Sequence, residues 1–430
     1  MSYRLSDISG FNNLLFDIKE NVLNEDKENK DKKNTLKLCK INIVTRNNQQ
    51  YKVIRYDKKF LTPDLFLQDG MLRSVIVNGD NKVVSFAPPK SIVWDTFIAE
   101  NPIKTDDIVA EEFVEGTMIN VFWDSSAGLA GSWELATRNS VGGEVSFFKT
   151  QDKTTSNSKT DTNKTFRDMF LEAAKLNSIE LNMLDPNFCY SFVLQHPENR
   201  IVVPFKTPQL YLVEVYEICN SVTSEGINVY VQPVNMQVVK YFGLWNSTSI
   251  KFPEIYEWDN YEDLKEHFAS MNTSYEVLGI VMRNIKNNTR TKLRNPSYET
   301  VRHLRGNQPK LQYQYLCLRQ SNGVSDFLKY YPEHKKEFLF FRKCMHDFTL
   351  TLFANYIACY IKKEKPLLEY PENFRTHMFH IHKKYIDELK PNKSYVTNNV
   401  VINYVNKMSP TLQMYSLNYN MRKRRVDCFS

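Results

Sequence analysis

Several basic residues sit beside strand-forming runs, where they could gather around one anion. Arg73 stands in "LRSVIV", Lys90 ends "SFAPPK", Arg138 lies in "LATRNS", and Arg200 in "HPENRIVV". Lys292 and Arg294 alternate in "TKLRNP", and a period of two places both on one face of a strand. Cationic side chains converging at strand ends bind phosphate. Taken singly, each reads as an ordinary solvated charge.

The acids cluster in "IVAEEFVEGTMINVFWD", Ile108 to Asp124, where Glu111, Glu112 and Glu115 precede or flank Gly116. Carboxylates beside a phosphate site commonly hold Mg²⁺, and Glu115 is the candidate ligand. Without that context the group reads as a solvated turn. His346, His377, His380 and His382 raise a metal reading for the C-terminal part. No cysteine or carboxylate set completes such a site, so a surface or RNA-facing role is expected instead. There is no G-x-x-x-x-G-K-[ST], G-x-G-x-x-G or G-x-S-x-G motif.

Strands must carry most of these residues. "LRSVIVNGDNKVVSFAPP" reads as a hairpin around Asn-Gly-Asp-Asn. "TMINVFWD" and "GSWELATRNS" form another antiparallel pair, and "CYSFVLQ", "QLYLVEVYEI" and "VLGIVMRN" extend the sheet. "KTFRDMFLEAAKLN" has the spacing of an amphipathic helix. After about Ser321 the apolar residues fall at helical spacing, with Pro366 and Pro391 closing two runs. The expected fold class is α+β, an antiparallel-sheet core followed by an all-helical C-terminal domain. The expected divisions are an N-terminal segment 1–60 with a charged flexible stretch at 24–34, a core 61–318 with a flexible insert at 149–164, and a helical domain 319–430.

Composition sets outer bounds. A hydrophobic share of 42% over 430 residues supports a sizeable core. No apolar run approaches the ~20 residues of a membrane span. The N-terminus lacks the pattern of a secretory signal, so a soluble, intracellular protein is expected. Seven cysteines with no CxxC pair argue for reduced, mostly buried thiols. A net charge of +7 leans toward an anionic partner. The basic cluster Lys423, Arg424 and Arg425 could touch RNA backbone.

The order of these segments resembles the bacteriophage-type RNA ligase family of covalent nucleotidyltransferases. "FVLQHPENRIVV" followed by "QLYLVEVYEI" is similar to that family's proline, Asn-Arg-Ile-Val and strand. "FVEGTMINVF" lies where the family has Lys-x-Asp-Gly, "VLGIVM" where it has Glu-Gly-aromatic-Val, and "TKLRNPSY" where it has Lys-x-Lys and a tyrosine. The texture resembles versions encoded by large DNA viruses. The likeness covers roughly Leu65 to Tyr298 and implies a ligase-type core that uses ATP and Mg²⁺ and acts on RNA. It implies nucleotide- or phosphate-binding roles for Arg73, Glu115, Gly116, Arg138, Asn199, Arg200, Gly279, Lys292 and Arg294.

The same alignment marks departures. Phe113 stands where the family has its nucleophilic lysine, Val193 and Leu278 where it has carboxylates, and Glu276 lies two residues from Leu278 on the same strand face. The family's first step needs a lysine amine of lowered pKa to attack the α-phosphorus of ATP, and phenylalanine has no lone pair to offer. The expectation is an RNA ligase-like protein that binds RNA or a nucleotide through a degenerate site. The alternatives are an active ligase using a displaced lysine, with Lys90 or a lysine of the 149–164 insert as substitute, and a structural or partner-binding subunit.

Overall fold

The computed structural model describes residues 2–16, 39–146, 164–223 and 226–420. The charged stretch 24–34, all of the 149–164 insert except Lys164, and Lys423, Arg424 and Arg425 lie outside these residues. The chain forms two compact units, which take in the described residues up to Thr300 and from Val301 onward.

The first unit is built on antiparallel sheets. Strands β2 (Cys39–Arg46), β3 (Gln49–Tyr56), β4 (Val75–Val77) and β5 (Val83–Phe86) form a small sheet in chain order. Asn47 and Asn48 join β2 to β3 at φ 48° and 62°, the left-handed turn that asparagine tolerates and that suits a tight hairpin. The β2–β3 pair, which the sequence reading set within an N-terminal segment, shares this sheet with the expected β4–β5 hairpin.

The second sheet has six strands in the order β1 (Tyr3–Arg4), β11 (Gly226–Pro233), β10 (Gln209–Thr223), β9 (Phe188–Gln195), β7 (Thr117–Asp124) and β8 (Ser132–Ala136). The amphipathic helix Phe166–Leu176 covers one face, burying Phe166, Met169, Phe170 and Ala173 against Ile119, Phe192 and Leu212. Its start is held by a capping box between Thr165 and Asp168.

A third sheet runs β12 (Ile255–Tyr256), β6 (Ile108–Glu112), β13 (Gly279–Asn284) and β14 (Thr289–Arg294). Ile108, Ala110, Ile280 and Met282 face a core closed by Phe97, Tyr261 and Leu264. By strand alternation the opposite face carries Glu111, Arg283, Arg290, Lys292 and Arg294. Every strand named from the sequence is present, and the whole is α+β with a helical C-terminal part.

The second unit is helical, with Leu311–Gln320, Val324–Tyr330, Lys335–Tyr356, Glu372–Lys384, Asn398–Lys407 and Pro410–Leu417. Phe327 stacks on Phe338 at 4.9 Å. His377 is buried here, its ring nitrogens 2.9 Å from the Tyr404 hydroxyl and 3.0 Å from the Ser416 hydroxyl. It is a core histidine, which corrects the surface reading, whereas His346 and His380 are exposed. Of the described cysteines only Cys189 is buried and none is paired, so the expectation of mostly buried thiols fails. No helix of the described residues is long and apolar enough to cross a membrane.

Candidate functional site

Phe113 follows β6 directly, and its ring is capped by the basic face of β14. The Lys292 amine lies 4.6 Å from the ring centroid and the Arg294 guanidinium carbon 5.9 Å from it. Both side chains therefore do project to one side of their strand, as alternation requires. Cations over aromatic faces gain roughly 0.5–2 kcal/mol each, depending on exposure.

That gain does not offset the crowding of charge around Lys292. Burial first, then Arg290, Arg73, Arg294 and Lys90, hold its amine well below the ordinary lysine pKa. Burial, with Arg290 adding to it, pushes the Arg73 guanidinium down to about 10. Lys90 is lowered by burial and by Arg73, Arg294 and Lys58.

The acceptors these cations find are neutral. Arg73 donates to the Pro88 carbonyl at 3.2 Å, Arg290 to Pro89 at 3.3 Å and Lys90 to Ser91 at 3.0 Å. Among the described residues only Arg294 of this group has a carboxylate, Glu299 at 2.9 Å. Partly buried cations without counter-charge are costly to hold. An arrangement of this kind is compensated by a bound polyanion.

Beyond Arg290 the sheet face meets the six-stranded sheet. Arg283 of β13 pairs with Glu214 of β10 and lies 3.4 Å from Glu111. Arg283 and Glu214 border a cavity of about 770 Å³ whose wall also includes Tyr3, Lys90, Tyr216 and Arg290.

Glu115 is placed differently from the cations. Its carboxylate accepts the amide of Val202 at 2.8 Å and that of Val203 at 3.1 Å. Burial raises its pKa to about 7, against the lowering effect of those amides and of Arg200. Asn199 donates to the Thr117 hydroxyl at 2.7 Å and Arg200 to the Val202 carbonyl at 2.9 Å. Glu115 and Asn199 thus fasten the segment after β9 to the start of β7, and Arg200 braces that segment from within.

The two carried-over glycines have steric causes. A Cβ on Gly116, at φ 148°, would lie 2.5 Å from the Leu194 carbonyl oxygen, and one on Gly279, at φ 134°, 2.0 Å from that of Leu293. Glu276 sits in an exposed turn ahead of β13, which corrects its placement on the strand face. Arg138 lies over the Tyr56 ring at 5.1 Å and adds its charge to that around Arg73.

The structure therefore brings Phe113, Lys292, Arg294, Arg73, Lys90 and Arg138 into one charged neighbourhood. Sequence reasoning missed Arg290, although its alternation with Lys292 and Arg294 in "TRTKLR" was available as a signal. It also missed Arg283 and Glu214, whose pairing across two sheets has no local signature.

The cationic face fits the phosphates of ATP. The carboxylates do not make a metal cage: Glu115 is taken by amides and Glu111 faces Arg283. Among the described residues no group of three or more His, Cys, Asp or Glu could hold a metal ion.

A region of 207 residues, 44% of this chain, is 25% identical to an RNA ligase of Rhodothermus phage RM378. The chain is distantly similar in sequence to that RNA ligase. The match spans 44% of the relative's own length, less than half of it. No family model matches the chain.

Among solved structures, an archaeal ATP-dependent RNA ligase overlays at TM-score 0.34 with 11% identity, over 91% of this chain and 76% of that one. A mutant Naegleria gruberi RNA ligase with ATP and Mn overlays at TM-score 0.33 with 12% identity, over 50% of this chain and 57% of that one.

Proposed function

We propose that this RNA ligase-like protein binds ATP and RNA ends through the basic face of β14 and the residues around Arg73. It does so without a nucleophile at position 113, as a pseudoenzyme of the ligase type. The observation that supports this reading is the set of Arg73, Lys90, Arg290 and Lys292, packed together with no carboxylate partner among the described residues. Phosphate oxygens would supply the missing charge, and Arg73 and Arg290 offer forked donors for them.

The protein's own groups do the work of orientation. The Phe113 ring holds Lys292, the Pro88 and Pro89 carbonyls hold Arg73 and Arg290, and Glu115 keeps the Asn199–Arg200 segment in place. Binding of ATP and of 5′-phosphorylated RNA to unmodified protein and to Arg73→Gln, measured by calorimetry across a salt series, tests the reading. Affinity should fall with salt in the unmodified protein and fall by about tenfold or more in the variant, the loss of one charge-assisted contact. Equal binding by both proteins would remove the basis for the reading.

One observation favours the second reading, a ligase with a displaced nucleophile. The Lys292 amine carries no hydrogen bond or ion pair among the described residues, and its surroundings disfavour its protonated form. A neutral amine there could form an N–P bond to the α-phosphorus, with the P–O bond to pyrophosphate breaking and the amine proton passing to water. This reading moves the role from Lys90, whose amine is bonded to the Ser91 carbonyl, to Lys292. Labelling with α-³²P ATP separates the two readings: an acid-labile band lost in Lys292→Met supports the second and excludes the first.

A further inference from the structure

The basic residues continue past Arg73. Tyr56, the last residue of β3, donates its backbone N–H to the Leu72 carbonyl, so the end of this strand lies beside Arg73. Arg138 covers the Tyr56 ring. The next residue, Asn139, accepts a hydrogen bond from Arg55 at 2.8 Å through its side chain and one from Asn42 at 2.9 Å through its carbonyl. Arg55, Asn139 and Asn42 thus form a polar seam on the small sheet, and Asn139 and Asn42 are exposed.

Two features separate this seam from an ordinary charged surface. The Nε–H groups of Arg55 and Arg138 are both buried and meet no acceptor among the described residues. Carboxylates are also within reach of this sheet, yet they serve other cations. Arg46, on β2, is paired with Glu134 at 2.7 Å and also with Glu144. Lys40, opposite Arg55 in the strand register, is paired with Asp57 at 2.9 Å. Arg55 and Arg138 are left uncompensated in a neighbourhood where compensation is available.

We propose that Arg138 and Arg55 form a track on the small N-terminal sheet that binds the sugar–phosphate backbone of a single-stranded RNA whose end lies in the Arg73–Lys292 site. This rests on the reading of that site as an RNA-end site and names the path of the strand beyond it. The class of partner follows from the chemistry. Guanidinium forks and an amide seam suit successive phosphodiesters, and the seam carries no exposed aromatic ring that would read a base.

The test uses the full chain and two probes, ATP and a 5′-phosphorylated oligouridylate of about 16 nucleotides, the upper end of single-strand site sizes for small folds. In Arg55→Gln, oligonucleotide affinity should fall about five- to tenfold and the salt slope by ~0.7, the single-strand value for one lost phosphate contact. ATP binding should not change.

Asn139 is exposed, so its variants test the track without disturbing the core. Asn139→Asp should weaken oligonucleotide binding and Asn139→Lys should strengthen it, again with ATP unaffected. If Arg55→Gln and both Asn139 variants bind the oligonucleotide as the unmodified protein does while Arg73→Gln loses it, the track is wrong and the end site stands. If Arg73→Gln also binds normally, the end site fails and the track with it.

Discussion

The Lys292 amine lies 4.6 Å from the centre of the Phe113 ring, so the residue to which the proposed function assigns a lost nucleophile is an aromatic ring seated against a lysine. The ring gives Lys292 a cation–π partner in a neighbourhood that otherwise repels it. The basic face of β14 is thereby kept near the turn that follows β6.

Phe113→Lys tests whether the rest of the site is competent. A lysine there would join the same crowd of cations and have its protonated form disfavoured in the same way. Incubated with α-³²P ATP and Mg²⁺, this variant should gain an acid-labile band that the unmodified protein lacks. No label in the variant would show that the departures at Val193 and Leu278 matter as much as the missing amine.

Lys292→Met should raise stability and lower anion affinity together. Because the folded-state pKa of Lys292 lies below its unfolded value, the unfolded chain binds more protons in that window, and stability rises with pH through it. Removing the charge should add ~1–3 kcal/mol at neutral pH, the gain expected for replacing a poorly compensated buried ion by an apolar group. Thermal melts at pH 7 and 9 would show it as a higher midpoint and a weaker dependence on pH. A lower midpoint at pH 7 would contradict the electrostatic account.

Glu115 gives a pH dependence of opposite sign. Its folded-state pKa is about 7, above the ordinary glutamate value, so the folded state holds the proton more tightly. The resulting stability is fully present below about pH 4.5 and is lost as pH rises toward 7, by at most ~3 kcal/mol for one group. Glu115→Gln should keep an acceptor for the Val202 and Val203 amides and flatten the profile between pH 5 and 7 in denaturant titrations. An unchanged slope would mean that Glu115 does not carry the proton.

Gly279→Ala should be far more damaging than a surface change. Its Cβ would stand 2.0 Å from the Leu293 carbonyl oxygen and 2.9 Å from the Arg294 Cα. Relief requires parting β13 from β14, at a cost of ~3 kcal/mol or more. The variant should melt several degrees lower and bind ATP less well, because Lys292 and Arg294 move with β14. Calorimetric melting beside an ATP titration checks both effects.

Much of the architecture was legible locally. The Asn-Gly-Asp-Asn turn, the alternation in "TMINVFWD" and the spacing in "KTFRDMFLEAAKLN" each predict an element that forms. The β2–β3 hairpin was passed over because it sits next to a charged run, and two asparagines at positive φ are a weaker cue than Asn-Gly. His377 was misplaced for a different reason. A histidine in a helix rich in polar residues shows its burial only once Tyr404 and Ser416 arrive from other helices.

The sequence by itself determined that position 113 carries no amine, that lysine and arginine alternate along one strand, and that strands give way to helices toward the C-terminal part, although those helices begin at Pro296 and not after about Ser321. These are properties of residue type and short-range period, which need no partner to be true. Only the tertiary structure decided that burial and neighbouring charges, Arg290 among them, hold down the protonation of Arg73 and Lys292, that Glu115 spends its carboxylate on two amides, and that Arg55 and Arg138 are left uncompensated. Charge interactions depend on distance and burial, and both are set by strands far apart in the chain packing side by side.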